Sequence, residues 1–515
     1  NTLFMTKIYL TVLCTTTLLL LSLFSSAQSI DGYALYNSQN SSTAYLIDAE
    51  GDIAHSWSCP SNANYAMALK PNGNIVRGAV NNGNQITGAA VGGMIQELDY
   101  DGDIVWEFTY SNANVVSHHD IALMPNGNVL LIAWEIIEEE DLAAIGLDDA
   151  EDKKVSHILE VQQNGTGGEV VWEWHIADHF VQDEDDTLPN YGVVSENPQL
   201  LNINIATDGQ GGGPGGPGGG GATDWFHVNG IDYNATLDQI VFSSRFLNEI
   251  FIIDHSTTTE QAATHEGGNS GMGGDILYRW GKPANYDTAG DQVITGPVHD
   301  ARWILEGRPN AGFIQVFNNE GGSGNSSVVD AIDAPVNGFN YDKTPNQQYE
   351  PASYSWRHEC IADANGQSAS DRMSNGNVFV NLSQSFMYEA DEEGNVVWQY
   401  NSGAPKGFRY ECSHPGILQM IADGIIDGTQ CAVGVSEITK LNATIFPNPS
   451  SGVFSVIGEF GANGADEIRV INVFGKEILV LQNAQTINLT AQPSGIYFVT
   501  ISAGDSQVTR KVIVE

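Results

Sequence analysis

The sequence predicts an all-β chain, a six-bladed β-propeller followed by a small C-terminal β-sandwich, and three observations carry that expectation. A unit of apolar strand, acidic or glycine turn, and second strand bearing tryptophan recurs as Tyr45–Trp57, Gln96–Trp106, Ile158–Trp174, Ile250–Trp280 and Met387–Trp398. Between the copies sit further hairpins, marked by Pro71-Asn-Gly-Asn74, Pro125-Asn-Gly-Asn128 and Ser374-Asn-Gly-Asn377. Asn-Gly between apolar runs accepts the left-handed backbone of a tight turn. Finally, the composition changes after Cys431, and from Ile445 onward short alternating strands fit a compact sandwich.

Four short strands per unit with a recurring Trp is a propeller signature. Five Trp copies are clear, and Gly312–Phe317 with Val328 and Val329 reads as a degenerate sixth. The expected organisation is a signal peptide over 1–27, a propeller over 28–432 and a sandwich over 440–515. The first of these rests on Lys7, the apolar run Ile8–Phe24 and the small residues Ser25, Ser26 and Ala27 before Gln28. No other stretch is long and apolar enough to span a bilayer, so no membrane span is expected after cleavage.

Charge narrows the function classes. Lys and Arg number 20 and Asp and Glu 63, a formal charge of −43, which excludes a nucleic-acid partner because such binding needs a basic face. After signal cleavage four cysteines remain, an even number in an oxidising compartment. They allow three pairings; Cys412–Cys431 is favoured for its short loop, and Cys59–Cys360 follows by elimination. No CxxC or Cys/His spacing occurs, which argues against zinc. The Asp99–Asp103 run alternates carboxylates but lacks the distal Glu and flanking helices of a calcium loop, so it reads as a hairpin turn. Glu138–Lys154 reads as an acidic surface helix. Gly209–Gly221 reads as a flexible loop, with no Lys, Ser or Thr to cradle a phosphate.

The residues that carry chemistry are the few cations and the histidines beside them: Ser117-His118-His119-Asp120, Asp224-Trp-Phe-His227-Val-Asn229, Ser243-Ser-Arg245 and Val298-His299-Asp300-Ala301-Arg302. His119, His227 and His299 each enter a strand at the same place in successive units, where Tyr65 stands in the first. In a propeller those strands line one channel, so the residues converge. Three imidazoles suit zinc or copper. A guanidinium beside them instead suits an anion, since Arg presents a planar fork to an oxyanion and would be repelled by a dication. Asp120 and Asp300 face away from the histidines they follow and are expected to tie backbone. His118, Asn229, Arg302 and His358 are the further candidates for substrate contact.

In order and spacing, Asp224–Asn229, Ser243–Arg245, Ile276–Trp280 and His299–Arg302 resemble the arylsulfotransferases that use aryl sulfates as donors. The resemblance implies a six-bladed propeller that moves a sulfuryl group from a phenolic sulfate to a phenolic acceptor by a ping-pong route, with no nucleotide sulfate (PAPS) donor and no cofactor. It implies His299 as the nucleophile that becomes sulfated, Arg245 and His227 as holders of the sulfuryl oxygens, and His119, or His118 beside it, as the group exchanging the phenol proton. A non-catalytic secreted propeller and a His-ligated metal enzyme are the alternatives. At the C-terminus, Phe446-Pro-Asn-Pro449, Ser494-Gly-Ile-Tyr-Phe498 and Arg510–Val514 resemble the type IX secretion sorting domain (type A). That likeness implies recognition by the type IX machinery, with release or cell-surface attachment.

Overall fold

A computed structural model describes residues 29, 31–147, 151–205, 223–290, 292, 294, 296–432, 443–458, 460, 464–472, 476–503 and 506–514. The expected signal peptide and the Gly209–Gly221 loop lie outside these residues. The described chain divides into two compact units, breaking between Gln430 and Cys431.

The first unit contains six blade sheets, five of four antiparallel strands and one, blade 3, to which the short strand Thr223–Asp224 adds in parallel as a fifth. Blade 1 runs outward as Gly407–Glu411, Gly32–Asn37, Thr43–Ile47 and Ile53–Ser58, so the last strand of the propeller closes the ring onto the first three. The inner strands of blades 2 to 6 are Ala63–Leu69, Val115–Leu123, Val228–Asn234, Val298–Trp303 and Ala369–Arg372, and from blade 2 to blade 6 each packs against the next. The propeller is therefore six-bladed, and the degenerate copy Gly312–Val329 lies in blade 5, whose middle strands are Ile314–Asn318 and Val328–Ile332. The inner strand of that blade carries His299, and its outer strand Trp356–Glu359 carries the sixth tryptophan.

The recurring tryptophan has a packing reason. Radial sheets diverge with distance from the axis, so the wedge between blades is widest at the outer strand and needs the largest side chain. Trp57, Trp106, Trp174 and Trp280 are fully buried there. Four of the outer-strand indoles give their N–H to a fixed acceptor at 2.7 Å: Glu97 for Trp106, Gly274 O for Trp174, Pro351 O for Trp280 and Ala49 O for Trp398. The acidic turns close on themselves. Asp99 Oδ1 accepts the N–H groups of Asp101 and Asp103, and Asp48 Oδ1 those of Glu50 and Asp52. The acidic insertion forms the short helix Glu139–Ala144, anchored by fully buried Leu142.

Cys412 and Cys431 are disulfide-bonded. The pairing of Cys59 with Cys360 does not occur: both are free thiols. Cys59 follows the outer strand of blade 1 and Cys360 that of blade 5, with blade 6 between them, too far for a disulfide to reach. Burial raises both thiols, that of Cys360 to about 12. Among the described residues no helix is long and apolar enough to cross a membrane.

The second unit is a sandwich of a three-stranded sheet (Ala443–Phe446, Val453–Gly458, Thr486–Asn488) and a four-stranded sheet (Glu477–Ala484, Ala465–Asn472, Gly495–Ala503, Ser506–Val514). Phe454, Val456, Ile468, Val470, Ile487, Val499, Ile501 and Val512 fill its core.

Arg279, in the Ile276–Trp280 strand, is fully buried and bidentate to Glu249 (3.0 and 2.6 Å), which also accepts from Asn285 at 2.6 Å. Removing one partner strands a buried charge. Glu249→Ala is expected to lower the unfolding free energy in urea by about 3–5 kcal/mol, and the double variant Glu249→Met/Arg279→Met to recover most of it. Equal losses in both variants would contradict this.

Candidate functional site

Four inner strands slip register at their channel ends, between Ala63 and Met67, His118 and Ile121, Val228 and Gly230, and His299 and Arg302. Such bulges bend a strand and re-aim its side chains. His119 (φ 52°) and His227 (φ 49°) hold left-handed backbone, whereas in blade 5 the left-handed residue is Asp300 (φ 58°), one position after the histidine. For residues with a Cβ this conformation costs on the order of 1–3 kcal/mol. The equivalence of the three histidines is therefore approximate in backbone, although their side chains converge.

The rings of His119 and His227 lie 4.6 Å apart, edge to face, and Tyr65 closes on His119 at 5.6 Å. His118 sits behind, stacked on Trp134 at 3.8 Å, with its Nδ1 2.7 Å from Nδ1 of His119. A single proton between those nitrogens makes one ring donor and the other acceptor. His227 donates Nδ1–H to Asp224 Oδ2 at 2.6 Å and packs against Phe246.

The hydrogen bonds of His299 select one tautomer. Its Nδ1 is 2.7 Å from Asn319 Oδ1, while the Asn319 amide donates to Ala364 O at 2.7 Å. Asn319 Oδ1 is thus the acceptor, so Nδ1 carries the proton and Nε2 the lone pair. That lone pair accepts the backbone N–H of Gln367 at 3.0 Å. Gln367 and Ser368 are both left-handed (φ 54° and 86°), and the Gln367 side-chain amide donates to Tyr65 Oη. A Cβ at Gly366 would stand 3.5 Å from Arg245 Nη1 and 3.9 Å from His299 Cε1, so this loop lies directly over both residues.

Arg245 enters from the blade 4 loop, its N–H bonded to His227 O at 3.1 Å, and among the described residues its guanidinium makes no ion pair. Burial, then the charge of His227, holds His119 well below the ordinary imidazole range. Burial, then Arg245, does the same for His299. Both rings are neutral at physiological pH. Beside Tyr65 a cavity of about 380 Å3 opens, lined also by Gln39, Asn64, Ile86, Ala90 and Val91.

Beneath the histidines Lys406 is buried, its Nζ 2.6 Å from Asp120 Oδ2 and 3.2 Å from Asp300 Oδ1. Asp120 also accepts Ile231 N–H and Asp300 accepts Ser370 N–H, so both aspartates tie backbone of the next blade. Three other sequence candidates lie apart from the histidine group. Arg302 is engaged by Asp300 and Asp371 and lies over Phe408. Asn229 is fully buried between Val298 O and Ser243 Oγ, bracing the strand that bears His299. His358 bonds Tyr388 Oη on blade 6. Asn319, Gln367 and Lys406 were not read from the sequence, and Asp224 was read only as part of a motif. The i−3 spacing of Asp224 from His227 and the rarity of lysine before a closing strand were the available signals.

Residues 12–341 match the family described as arylsulfotransferase (ASST), and residues 444–515 match the secretion system C-terminal sorting domain. No curated protein matches the chain. Solved structures with a similar course include a protein of unknown function from Bacteroides caccae (12% identity, TM-score 0.39, 74% of this chain and 98% of that one). Others are the Cps50 (Swd1) β-propeller domain of Myceliophteria thermophila (9%, 0.35, 73% and 87%) and the periplasmic gluconolactonase PpgL of Pseudomonas aeruginosa (11%, 0.36, 95% and 100%).

His118, His119, His157 and His299 are all held well below the ordinary imidazole pKa, primarily by burial. The unfolded chain takes up these protons below its own pKa of about 6.5 while the fold does not. The stability these four rings contribute is therefore fully present above about pH 6.5 and falls as pH drops below it. Urea midpoints measured from pH 7.5 to 4.5 should decline steadily below about 6.5; a flat profile would contradict the neutral assignment.

Proposed function

The chain belongs to the arylsulfotransferase family and carries a type IX secretion sorting domain that directs it outside the cell or to the cell surface, and on that premise we propose a ping-pong aryl-sulfate sulfotransferase that works through a sulfated His299. Its substrates are a small aryl sulfate donor and a phenolic acceptor, with no nucleotide sulfate (PAPS). The observation that carries the reading is the pairing of a neutral His299, with its lone pair on Nε2, and an Arg245 without an ion pair among the described residues.

In the first half-reaction Nε2 of His299 attacks the sulfur of the aryl sulfate. An N–S bond forms, the S–O(aryl) bond breaks, and the electron pair leaves on the phenolate. Gln367 N–H must give up Nε2 for this step, which places that amide to donate to a sulfuryl oxygen instead. Arg245 and His227 hold the remaining sulfuryl oxygens as charge spreads over them. The transition state is loose, as in phosphoryl transfer, so positioning and charge stabilisation do most of the catalysis. In the second half-reaction neutral His119 takes the proton of the acceptor phenol, the phenolate oxygen attacks sulfur, and the N–S bond breaks to regenerate His299. The cavity beside Tyr65 is the space for the aryl ring. Asn319 keeps the proton on Nδ1 throughout, so Nε2 remains the reacting nitrogen.

Purified protein given p-nitrophenyl sulfate and a phenol should release p-nitrophenol without added cofactor, and His299→Ala should not. Mass spectrometry after donor alone should find one sulfated peptide, the one containing His299. Sulfation elsewhere, or equal inertness of wild type and variant over a broad donor panel, would overturn the reading. Arg245→Ala is expected to lower kcat about 10²–10³-fold, the usual loss for one anion-stabilising donor, with the fold intact by circular dichroism.

A further inference from the structure

We infer that His179, His265 and Asp275 form a binding site for a borderline divalent cation such as Zn2+, outside the histidine channel. His179 ends a short 3-10 turn (Ile176–His179), His265 lies in the loop after the helix Thr259–Ala262, and Asp275 immediately precedes the outer strand of blade 4. One donor atom from each lies within 4.8 Å of the others. Asp275 Oδ1 is 2.9 Å from His179 Nδ1 and 2.7 Å from His265 Nδ1.

The neighbours of His179 fix which of its nitrogens carries a proton. Its Nε2 lies 2.9 Å from Ala262 O, which only accepts, so Nε2 bears hydrogen. Nδ1 is then the nitrogen left to face Asp275 Oδ1 at 2.9 Å, and His265 Nδ1 faces the same oxygen at 2.7 Å, so two imidazole nitrogens converge on one carboxylate. Two imidazole nitrogens and one carboxylate oxygen are a donor set that zinc and its first-row neighbours bind well.

The outer contacts resemble those of a ligating histidine, whose second N–H is usually held by a carbonyl or carboxylate. His179 is fully buried and stacked on Trp174 (5.6 Å, 11° between planes), and Trp174 Nε1 bonds Gly274 O at 2.7 Å. A Cβ on Gly274 would stand 2.0 Å from Ala262 O and 2.7 Å from His179 Nε2, so only glycine permits this arrangement. His265 is largely exposed and also lines a cavity of about 250 Å3 with Asp178, Asn190, Tyr191 and Asn197. Three protein ligands beside an open cavity leave one tetrahedral position for water or a small ligand.

The test uses the full chain, stripped with EDTA and titrated with Zn2+, or with Co2+ read by its visible absorption. One equivalent should bind, with His265→Ala and Asp275→Asn each weakening affinity at least roughly tenfold, the scale on which such sites respond. His265 is exposed, so its variant keeps the fold even if a His179 substitution does not. His227→Gln, in the channel, should leave the bound equivalent unchanged. Absence of stoichiometric binding would identify the cluster as a plain imidazolium–carboxylate pair and overturn the proposal. So would binding that survives His265→Ala but is lost in His227→Gln. Neither result bears on sulfuryl transfer, whose failure would leave this site untouched.

Discussion

The lysine buried between two aspartates under the channel is the interaction on which the rest of the site depends. Lys406 reaches Asp120 of blade 3 and Asp300 of blade 5 from the chain that closes blade 1. Each aspartate also accepts a backbone N–H of the following blade, and Asp300 holds Arg302 as well. One charge cluster therefore joins strands far apart in the sequence at the level where the register slips. Removing the ammonium would leave two buried carboxylates facing each other, a change costing several kcal/mol. It would also release the left-handed residues beside them, His119 and Asp300, from the network that holds them.

Electrostatics explains why the site sits on so few cations. A protein of formal charge −43 repels a sulfate at long range, but that field is screened beyond about 8 Å at physiological ionic strength. At short range only local groups count. Arg245 has no ion pair among the described residues, and burial keeps His119 and His299 neutral, aided by the charges beside them. A charged His299 would have no lone pair to offer. Burial and Arg245 thus act together to keep that lone pair on Nε2.

At His299 and at His179 a fixed acceptor determines the chemistry of the opposite nitrogen: Asn319 Oδ1 for one, Ala262 O for the other. At His179 the glycine Gly274 lets the chain lie where a Cβ would stand 2.0 Å from Ala262 O. Without those neighbours neither ring would have a nitrogen marked as the one bearing hydrogen.

The sequence by itself determined the blade count, the tryptophan at five of the six outer strands, the acidic turns, the sandwich and the convergence of His119, His227, His299 and Arg245, because these follow from periodicity and from local pattern. It left the tryptophan of blade 5, Trp356, unread, since the long connection between Ile332 and Trp356 interrupts the repeat. It paired Cys59 with Cys360 because elimination counts cysteines without measuring the distance between blades. Only the tertiary structure decided which of His118 and His119 meets His227, that Arg302 turns to Asp300 and Asp371, and that Asn319, Gln367 and Lys406 belong to the site. Those contacts cross from one blade to another, and His179, His265 and Asp275 likewise meet only through the fold. No spacing along the chain encodes which side chains face each other once six sheets close into a ring.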